Sequence, residues 1–584
     1  MTSSRGSPKA GAVAALSAAA LLLMAEAILF DHLGFRERLL SYDLVAHDHP
    51  NAGETKLFLL QMVLGVPALL LICGAGLKLL PPRQPDLLAR LAGRPRRTYV
   101  VLAIAAATFI VLVRVLVFRG AAFTDDERVY VYESRALLAG GLTTQAPGPL
   151  QIFSHQFLLE LPGGRWGGVY PIGQPTLLAV SRTLGVPFLT QALSGAGIVY
   201  LAARLAERLW NAKVGVGTAL LLATSPFLIC MSATLHSMVP STFLLLAVLA
   251  ASLSARDAGG YGSYALVGAA LGAMQLTRQL EALLAALAAG LLLAPLVLRS
   301  DRDRKRHAIG LLIVFTLCVV SLFIQFETNA MVTGDPMVNA YSAFARRWPG
   351  AKMFGFGNVG WGVTATFPGA VSKTFAVLMR LSAWCFGWPG SLLPLGLVAL
   401  GVGSDRWSRA AIAFVLVQAT AYFFLGGGAV HDIGSAYHLF DLPFIAMVTA
   451  VVVIELGDRL TPLGTIAQAT PARLAFAAFA VGLTTFWPQE LARLGHVART
   501  IRAPLEAAEA YAEGGPIALF WERMQPPGAY TSWVYFPPPP GPRLDDPVLW
   551  VRSGPWEEQV REAYPSRKPC RLQWEKDRPI IVPF

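Results

Sequence analysis

Long apolar runs separated by short polar connections make up most of the chain. A helix that crosses a lipid bilayer needs about 20 mainly apolar residues. Thirteen runs meet this requirement, near 11–30, 57–80, 99–118, 188–208, 214–231, 238–255, 262–277, 281–299, 308–327, 374–400, 409–426, 437–456 and 471–488. The pattern predicts an all-α polytopic membrane protein with a bundle of about 11–13 transmembrane helices.

The positions of Lys and Arg predict the orientation of the bundle, because cytoplasmic connections carry an excess of both. Segments 78–97 and 299–307 are the most basic and are expected in the cytoplasm. Five candidate spans lie between 118 and 299, and an odd number of crossings agrees with both assignments. The extracytoplasmic segments are then 31–56, 119–187, 328–373, 427–436 and the tail from 489. Long connections on one face are typical of a functional site.

The chain divides into three predicted parts by composition. Residues 1–98 hold two additional transmembrane helices and a basic cytoplasmic loop, 99–488 form the core with outer loop 119–187, and 489–584 form a small extracytoplasmic domain. The last part is charged and rich in Trp and Pro, and its segments 548–551 and 580–582 are expected to be strands. Residues 170–187, apolar but broken by Pro and Gly, predict an interfacial helix.

Composition agrees with the membrane assignment. Of 584 residues, 54% are hydrophobic and 14% charged, with a mean hydropathy of +0.52, whereas soluble domains carry about 25% charged residues. The net charge of +12 is spread over short loops, which argues against nucleic-acid binding. The five cysteines form no C-x-x-C pair, and the sequence contains no P-loop, H-E-x-x-H or dinucleotide-binding motif.

The segment FTDDERVYVYESRALLAGGL (123–142) carries the strongest candidate chemistry. Asp125, Asp126 and Glu127 stand where the third span leaves the membrane, and Tyr130 follows Glu127 on the same helical face. Acids at a helix start also act as N-caps and interact favourably with the helix dipole. A catalytic role and a capping role are therefore both open.

Further polar residues recur at the expected outer ends of later spans. They are found in GGVYPIGQPTLLA (167–179), LHSMVP (235–240), LTRQLEALL (276–284), NAMVTGDP (329–336) and GSAYHLFDLPF (434–444). Among them, His236 is expected at an outer membrane edge, and Arg278 and Glu281 lie between two spans. An ionisable residue near membrane depth, such as Arg278, is a functional hypothesis by default.

The order of these segments over roughly 99–456 resembles the GT-C superfamily of membrane glycosyltransferases, in the branch of protein O-mannosyltransferases and aminoarabinose transferases. Asp126-Glu127-x-x-Tyr130 is similar to its acidic first-loop motif, and Tyr170-Pro171-Ile172-Gly173 to the segment that follows. Thr277-Arg278 with Ala282, and Asn329 with Thr333 to Pro336, are similar to two later motifs. The chain departs from the family in its two additional spans and in Gly434-Ser435-Ala436-Tyr437, which lacks the usual Arg. His431 or His438 is a candidate substitute.

The resemblance implies an inverting transfer of a sugar from a polyprenyl-phosphate donor, in which Asp126 is the expected base and Glu127 shares that role or positions the acceptor. The expected substrate-binding residues are Asp125, Tyr130, Tyr170, His236, Arg278, His431 and Tyr437. Structural alternatives are a solvated helix cap for Asp125, an ion pair with Glu281 for Arg278, a hydrogen-bonded structural role for His236, and packing for the two tyrosines Tyr130 and Tyr170.

The implied partners are the polyprenyl-phosphate sugar, the lipid bilayer and a glycan, lipid or protein acceptor. No cofactor is identified, and a divalent cation at the acid cluster stays an open alternative. Composition points to a bacterial plasma membrane, with the active site and the C-terminal domain outside. The alternative functions are a lipid or glycan transporter or flippase, and a non-catalytic membrane scaffold.

Overall fold

The computed structural model describes residues 8–32, 61–68, 71–72, 75, 87–145, 152–153, 155–161, 163–299, 303–352, 354–360, 363–425, 433–526 and 534–584. The helices up to the second outer loop are α1 (Pro8–His32), α2 (Leu87–Ala92), α3 (Pro95–Leu112), α4 (Asp125–Leu138), α5 (Gly173–Thr183), α6 (Leu189–Leu209), α7 (Ala212–Ala223), α8 (Pro226–Ser232), α9 (Met238–Ala258), α10 (Tyr261–Gln275), α11 (Gln279–Arg299), α12 (Arg304–Thr333) and α13 (Ala340–Ala345). The later helices are α14 (Phe367–Trp384), α15 (Leu393–Ala399), α16 (Arg406–Phe423), α17 (Leu442–Leu460), α18 (Thr465–Val481), α19 (Trp487–Ala512) and α20 (Glu557–Ala563).

Within these described ranges, five helices are long and apolar enough to cross a membrane, and a sixth span is formed if a bent pair counts as one. The five are Pro95–Val117, Met238–Ala258, Gln279–Leu298, Arg304–Thr333 and Gln468–Ala512. The bent pair is α7 with α8, which meet at 57°. Ser225 caps α8 by accepting from the N–H of Leu228, and Pro226 occupies its first turn, so the sequence itself breaks this helix.

The other predicted spans are also largely helical where the structure describes them. Candidates 188–208, 262–277, 409–426 and 437–456 correspond to α6, α10, α16 and α17. Candidate 374–400 is divided into α14 and α15, and candidate 57–80 lies largely outside the described residues. The predicted pattern of apolar segments therefore reappears as a helical bundle, with fewer long uninterrupted helices than expected.

Small residues let α10 and α12 pack closely, which fixes the outer end of α12 beside the candidate site. A Cβ on Gly272 would lie 2.9 Å from the Ser321 Cβ, and one on Gly310 would lie 2.5 Å from the Tyr264 ring. Close backbone approach through small residues is a common way for membrane helices to associate. Below this contact, the Tyr264 hydroxyl hydrogen-bonds His307 Nδ1 at 2.7 Å.

The loop between α4 and α5 forms a three-stranded antiparallel sheet in the order β1 (Thr143–Gln145), β3 (Arg165–Gly168), β2 (Leu158–Leu161). Helix α5 then follows within the segment 170–187, where the sequence predicted a helix. A two-stranded hairpin, β4 (Gly357–Gly360) with β5 (Val363–Ala365), lies in the later loop between α13 and α14.

The last transmembrane segment extends further than the predicted boundary at residue 489. A π-helical stretch, Gly482–Phe486, joins α18 to α19, and α19 continues to Ala512. A four-stranded sheet follows in the order β7 (Val548–Arg552), β6 (Ile517–Trp521), β8 (Lys568–Glu575), β9 (Arg578–Pro583). Strands β7 and β9 are the two that the sequence predicted. Strand β6 pairs in parallel with β7 and β8, and β9 closes the sheet antiparallel to β8.

The C-terminal sheet shares a hydrophobic core with α4 and the first outer loop. The buried residues of this core include Val129, Tyr132, Trp166, Phe520 and Val551. The Arg552 N–H donates to the Ile152 carbonyl at 2.8 Å, and Arg135 pairs with Asp546 at 2.6 Å. The domain therefore supports one side of the helix that carries the acid cluster.

Candidate active site

Helix α4 begins where the chain leaves span α3, with Thr124 as its N-cap. The Thr124 backbone is extended (φ −139°, ψ 157°), and its side chain accepts from the Glu127 N–H at 3.4 Å. Asp125, Asp126 and Glu127 occupy the first helical turn. The N-cap is therefore Thr124 and not one of the acids, so the capping role expected for the acids is wrong, although their place in the first turn still suits the helix dipole.

Glu127 is held by backbone amides on both sides of its carboxylate. It is fully buried and accepts from the N–H groups of Phe123 and Leu235, each at 2.8 Å. Burial raises the pKa of Glu127, while the neighbouring Arg114 charge and the backbone donors oppose the rise. This geometry links α4 to the segment before α9 and leaves Glu127 poorly placed to receive a substrate proton.

Asp125 is directed towards the C-terminal domain. Its carboxylate accepts from the Tyr535 N–H at 3.1 Å, the Phe536 N–H at 3.3 Å and Gln156 Nε2 at 3.0 Å. Burial raises the pKa of Asp125 to about 7, although the Arg128 charge and the two backbone donors lower it. The side chain is 1% exposed, so the expectation of a solvated helix cap is wrong.

Asp126 has a different environment from its two neighbours. Its side chain is half-buried rather than fully enclosed, and its carboxyl hydrogen-bonds Tyr170. Burial raises the pKa of Asp126 to about 6, the Tyr170 hydrogen bond and the Arg278 charge lower it, and the Glu127 charge raises it further. Such a carboxylate is ionised at neutral pH and retains enough basicity to accept a proton.

Four tyrosines surround the Asp126 carboxyl closely enough to interact with its charge, namely Tyr130, Tyr170, Tyr341 and Tyr437. The rings of Tyr130 and Tyr170 pack with centroids 4.5 Å apart. The Tyr130 hydroxyl also lies 3.3 Å from Ser237 Oγ. The structure thus brings three predicted tyrosines together around Asp126 and adds Tyr341 from the following loop.

Arg278 approaches the same place from the connection between α10 and α11. Its Nε and Nη2 bind Glu281 Oε1 at 2.8 and 2.7 Å, so the ion pair expected from the sequence is present. Its Nη2 also donates to the Tyr422 hydroxyl at 3.1 Å, and its Nη1 donates to Ser237 Oγ at 3.3 Å. Because Ser237 contacts both Tyr130 and Arg278, the base candidate and the cation border one site.

His236 packs behind this site and is held in place through its main chain. Gln191 Nε2 donates to the His236 carbonyl at 3.2 Å, and the His236 Nε2 lies 3.8 Å from Glu127 Oε1. Burial lowers the pKa of His236 to about 3, and the Arg278 charge lowers it further. The imidazole is 2% exposed, which favours the structural alternative for this residue.

Part of the sequence and the overall fold resemble known proteins. Residues 176–324 match the family model described as dolichyl-phosphate-mannose-protein mannosyltransferase. The crystal structure of ArnT from Cupriavidus metallidurans bound to undecaprenyl phosphate matches with a TM-score of 0.51 and 15% identity, covering 83% of this chain and 97% of that chain. Its apo form gives the same TM-score and coverage at 14% identity. The chain has the GT-C fold.

The GT-C resemblance and the all-α polytopic membrane fold predicted from the sequence are therefore confirmed. The apo oligosaccharyltransferase of Archaeoglobus fulgidus matches more weakly, with a TM-score of 0.42 and 14% identity over 72% of this chain and 62% of that chain. No sequence among curated proteins matches this chain significantly.

In this GT-C chain the late segment 434–444 lies against the Arg278 side of the site. Tyr437 stacks on Tyr422 with ring centroids 5.2 Å apart, and Arg278 lies 5.3 Å from the Tyr437 ring centroid. His438 is buried and its Nδ1 pairs with Asp441 Oδ2 at 2.7 Å, so its ring is held by a carboxylate beside the site. His431, the other candidate substitute for the missing Arg, lies outside the described residues.

Two cations that the sequence analysis did not single out reach the neighbourhood from α14. Lys373 Nζ donates to the carbonyls of Tyr422 at 3.2 Å and Leu425 at 2.6 Å, and Arg380 Nη1 donates to the Gly434 carbonyl at 3.1 Å. Lys373 and Arg380 are seven residues apart on an apolar helix, a recurrence of charge at membrane depth that could have identified them.

The three acids at the start of α4 do not converge as ligands for a metal ion. Among the residues that the structure describes, no group of three or more His, Cys, Asp or Glu side chains is arranged to hold a metal ion. Asp125 and Glu127 point in different directions and are satisfied by N–H donors, so the consecutive acids do not converge. Consecutive residues of an α-helix are turned by about 100° from one another, so three adjacent acids face different directions.

Proposed function

We propose that the chain is a glycosyltransferase that moves a sugar from a polyprenyl-phosphate donor to an acceptor hydroxyl, with inversion at the anomeric carbon. Asp126 is the base, and Arg278 is the cation that stabilises the departing phosphate. The fold match to ArnT supports a lipid-linked donor, because that protein was crystallised with undecaprenyl phosphate.

The observation that carries the proposal is the contrast within one helical turn. The carboxylates of Asp125 and Glu127 accept hydrogen bonds from backbone N–H groups. Asp126 is instead half-buried, lies among tyrosines and is influenced by the Arg278 charge. A general base must reach the proton that it removes and have a pKa near the working pH. Of these three acids, Asp126 meets both requirements best.

The bond changes follow from these two groups. The acceptor oxygen forms a bond with the anomeric carbon, and its proton passes to Asp126. The bond between the anomeric carbon and the phosphate oxygen breaks, and the electron pair leaves with the polyprenyl phosphate. Positive charge fixed beside that oxygen lowers the barrier without rearrangement during the reaction.

The surroundings of Arg278 suit it to this role even though it is already paired. Glu281 binds the Nε and Nη2 edge of the guanidinium, and this contact orients Nη1 towards Ser237. A guanidinium has several fixed donors, so one edge binds a structural partner while another contacts phosphate oxygens. In the proposal, Glu281 and Glu127 are positioning residues rather than catalytic ones.

The proposed reaction takes place at the extracytoplasmic face of a bacterial plasma membrane. This assignment rests on the basic segments 78–97 and 299–307, which are expected in the cytoplasm. Reporter fusions after residues 140 and 525 test it, because both positions should report an extracytoplasmic location. A cytoplasmic signal at either position contradicts the proposed orientation.

The decisive experiment measures transfer directly. Purified protein in nanodiscs is incubated with a radiolabelled undecaprenyl-phosphate sugar and a total extract of bacterial envelope that contains its glycans, lipids and proteins, and the label is followed by chromatography. Movement of label from the donor into a product that resists mild acid supports glycosyl transfer. Mild acid cleaves a sugar phosphate readily, so the intact donor is distinguished from the product.

The same preparation separates the alternative functions when it is placed in sealed vesicles. A flippase moves the intact labelled donor between leaflets without forming product, and a scaffold does neither. Either result, obtained over a panel of hexose and pentose donors with active reference enzymes as positive controls, contradicts the proposed activity.

A further inference from the structure

A second cavity, apart from the site of Asp126 and Arg278, is bordered by Tyr170. It is open to solvent, and the space within it is about 620 Å³ when the open mouth is included. Its polar lining comes from α4, the outer end of α12 and the start of α11, and includes Glu133, Gln279, Gln325, Thr328 and Asn329. Neither Asp126 nor Arg278 lines it.

Glu133 presents a carboxyl oxygen to this cavity that has no protein partner among the described residues. One oxygen, Oε1, accepts from the Tyr170 N–H at 3.3 Å, while Oε2 is buried without a hydrogen bond. The residue is 8% exposed, and burial raises its pKa well above the usual value for Glu. A buried polar atom left in this state is unfavourable, and a ligand that donates a hydrogen bond to it removes this penalty.

Gln325 supplies a second unsatisfied acceptor from α12. Its Nε2 donates to Asn329 Oδ1 at 2.7 Å, which fixes the amide, and its Oε1 is buried with no partner in the described part of the chain. Asn329 is fixed in turn because its Nδ2 donates to the Pro336 carbonyl at 2.9 Å. Glu133 Oε2 and Gln325 Oε1 are therefore two oriented acceptors on different helices, and each belongs to a residue that is more than nine-tenths buried. A ligand that donates hydrogen bonds can satisfy both.

The rest of the lining is apolar or aromatic. Tyr170 and Tyr341 border the cavity, together with aliphatic side chains such as Leu137, Val169 and Val332. A Cβ on Gly168 would lie 2.0 Å from Glu133 Oε1, so the glycine allows the carboxyl to lie against the loop backbone. A ligand with hydroxyl donors at its edge and C–H groups on its faces matches both kinds of surface.

We infer that this cavity is a carbohydrate subsite, in which Glu133 and Gln325 accept hydrogen bonds from the hydroxyl groups of a sugar ring. The inference rests on the proposed function, because the ring belongs either to the lipid-linked donor or to a glycan acceptor. Tyr170 joins the two regions, since its hydroxyl binds Asp126 and its N–H binds Glu133. Gln279, next to Arg278 in sequence, lines the subsite from the phosphate side.

The test is a binding measurement, so it does not depend on whether transfer occurs. Methyl glycosides of mannose, glucose, galactose and arabinose are applied at millimolar concentration to the protein in nanodiscs, and saturation-transfer NMR reports contact. We expect at least one glycoside to bind the wild type. Glu133→Met and Gln325→Leu should each weaken binding about tenfold, the equivalent of one lost buried hydrogen bond.

Matched variants separate a specific loss from a folding defect. Glu133→Gln keeps the size of the side chain and an oxygen for the Tyr170 N–H, but it presents an amide N–H₂ to the cavity in place of the accepting oxygen and should also weaken binding. Glu160→Gln on β2 and Thr316→Val on α12 change exposed side chains of similar chemistry and should have no effect. No glycoside binding to the wild type, or equal binding by the wild type, Glu133→Met and Gln325→Leu, overturns the subsite.

Competition identifies the source of the ring. If an undecaprenyl-phosphate sugar displaces the glycoside and undecaprenyl phosphate alone does not, the subsite holds the donor sugar. If the glycoside stays bound beside the lipid-linked sugar, the subsite holds the acceptor. If the wild type binds glycoside but transfers no sugar in the nanodisc assay, the proposed function is refuted while the carbohydrate site is retained.

Discussion

The two faces of helix α4 differ in what holds their side chains. On the face towards the C-terminal domain, Asp125 binds the amides of residues 535 and 536, and Arg135 pairs with Asp546. On the opposite face, Asp126, Tyr130 and Glu133 border the candidate site and the second cavity. Burial raises the pKa of Asp125 and Asp126 to similar values, about 7 and about 6. A perturbed pKa alone therefore does not identify the base; the direction of the carboxylate does.

The largest effect should come from Asp126→Asn, which removes the proposed base but keeps the size of the side chain. We expect transfer to fall about 10³-fold, within the range typical of general-base catalysis. Initial rates in the nanodisc assay measure the loss, and size-exclusion profiles confirm that the variant is folded. Asp545→Asn, at an exposed position in the C-terminal domain, is the control. Near-normal turnover by Asp126→Asn excludes this residue as the base.

Arg278→Ala tests the cation that borders the same site from the connection between α10 and α11. Loss of a charge-assisted contact with phosphate should weaken apparent donor affinity about 10- to 100-fold. Titration with undecaprenyl phosphate alone measures this contact without the reaction. Arg208→Ala, which removes an arginine paired with Asp257 on α9, serves as a comparison. An unchanged donor affinity in Arg278→Ala argues against the phosphate role.

The pH dependence of transfer should report the ionisation of Asp126. Since the base works as the carboxylate and burial raises its pKa to about 6, kcat/KM should be constant above that value. Below it, the rate should fall about tenfold per pH unit as the carboxylate is protonated. Rates between pH 4.5 and 8 measure the profile, and the decrease at low pH should stay at the same pH in Asp125→Asn. If this decrease shifts in Asp125→Asn, the ionisation belongs to Asp125 instead of Asp126.

Asp125→Ala should affect stability rather than chemistry. It removes the acceptor for the amides of residues 535 and 536, and unsatisfied buried donors cost about 1–3 kcal/mol. We expect a lower Tm and faster proteolysis between α19 and β7, with activity per folded molecule within about threefold of wild type. A catalytic loss comparable with that of Asp126→Asn shows that both faces of α4 take part in the reaction.

The smallest effect is expected from Arg135→Gln, on the same face but near the surface. Its ion pair with Asp546 joins side chains that are 31% and 27% exposed, and such pairs contribute about 0–1 kcal/mol. Thermal unfolding in detergent should therefore change little. A Tm decrease as large as that of Asp125→Ala indicates that the ion pair contributes as much to docking the domain as the buried amide contacts do.

Much of the fold was predictable because lipid imposes a simple pattern on the sequence. Long apolar runs predicted the helical segments, and short runs of β-branched and aromatic residues predicted β7 and β9. The bend between α7 and α8 was missed although Ser225-Pro226 encodes it, because hydropathy does not register caps. The length of α19 was missed because its polar second half resembles a soluble segment, whereas the helix simply continues.

The site was predictable only in part. Local motifs singled out Asp126, Tyr130, Tyr170 and Arg278, which do meet in space. They did not predict the different environments of Asp125 and Glu127, because those depend on partners at residues 535 and 235, far along the chain. Glu133 carries no motif, and its importance appears only when Gln325 and Asn329 on α12 are placed opposite to it.

The contact between Asp125 and the Tyr535 amide spans 410 positions of sequence. During synthesis, the ribosome makes α4 long before it makes the segment that completes its support. Every transmembrane helix described between them has been synthesised by the time residue 535 is translated. The proposed catalytic helix consequently gains this contact late, and a nascent chain interrupted before that point would carry Asp126 on a helix lacking this support.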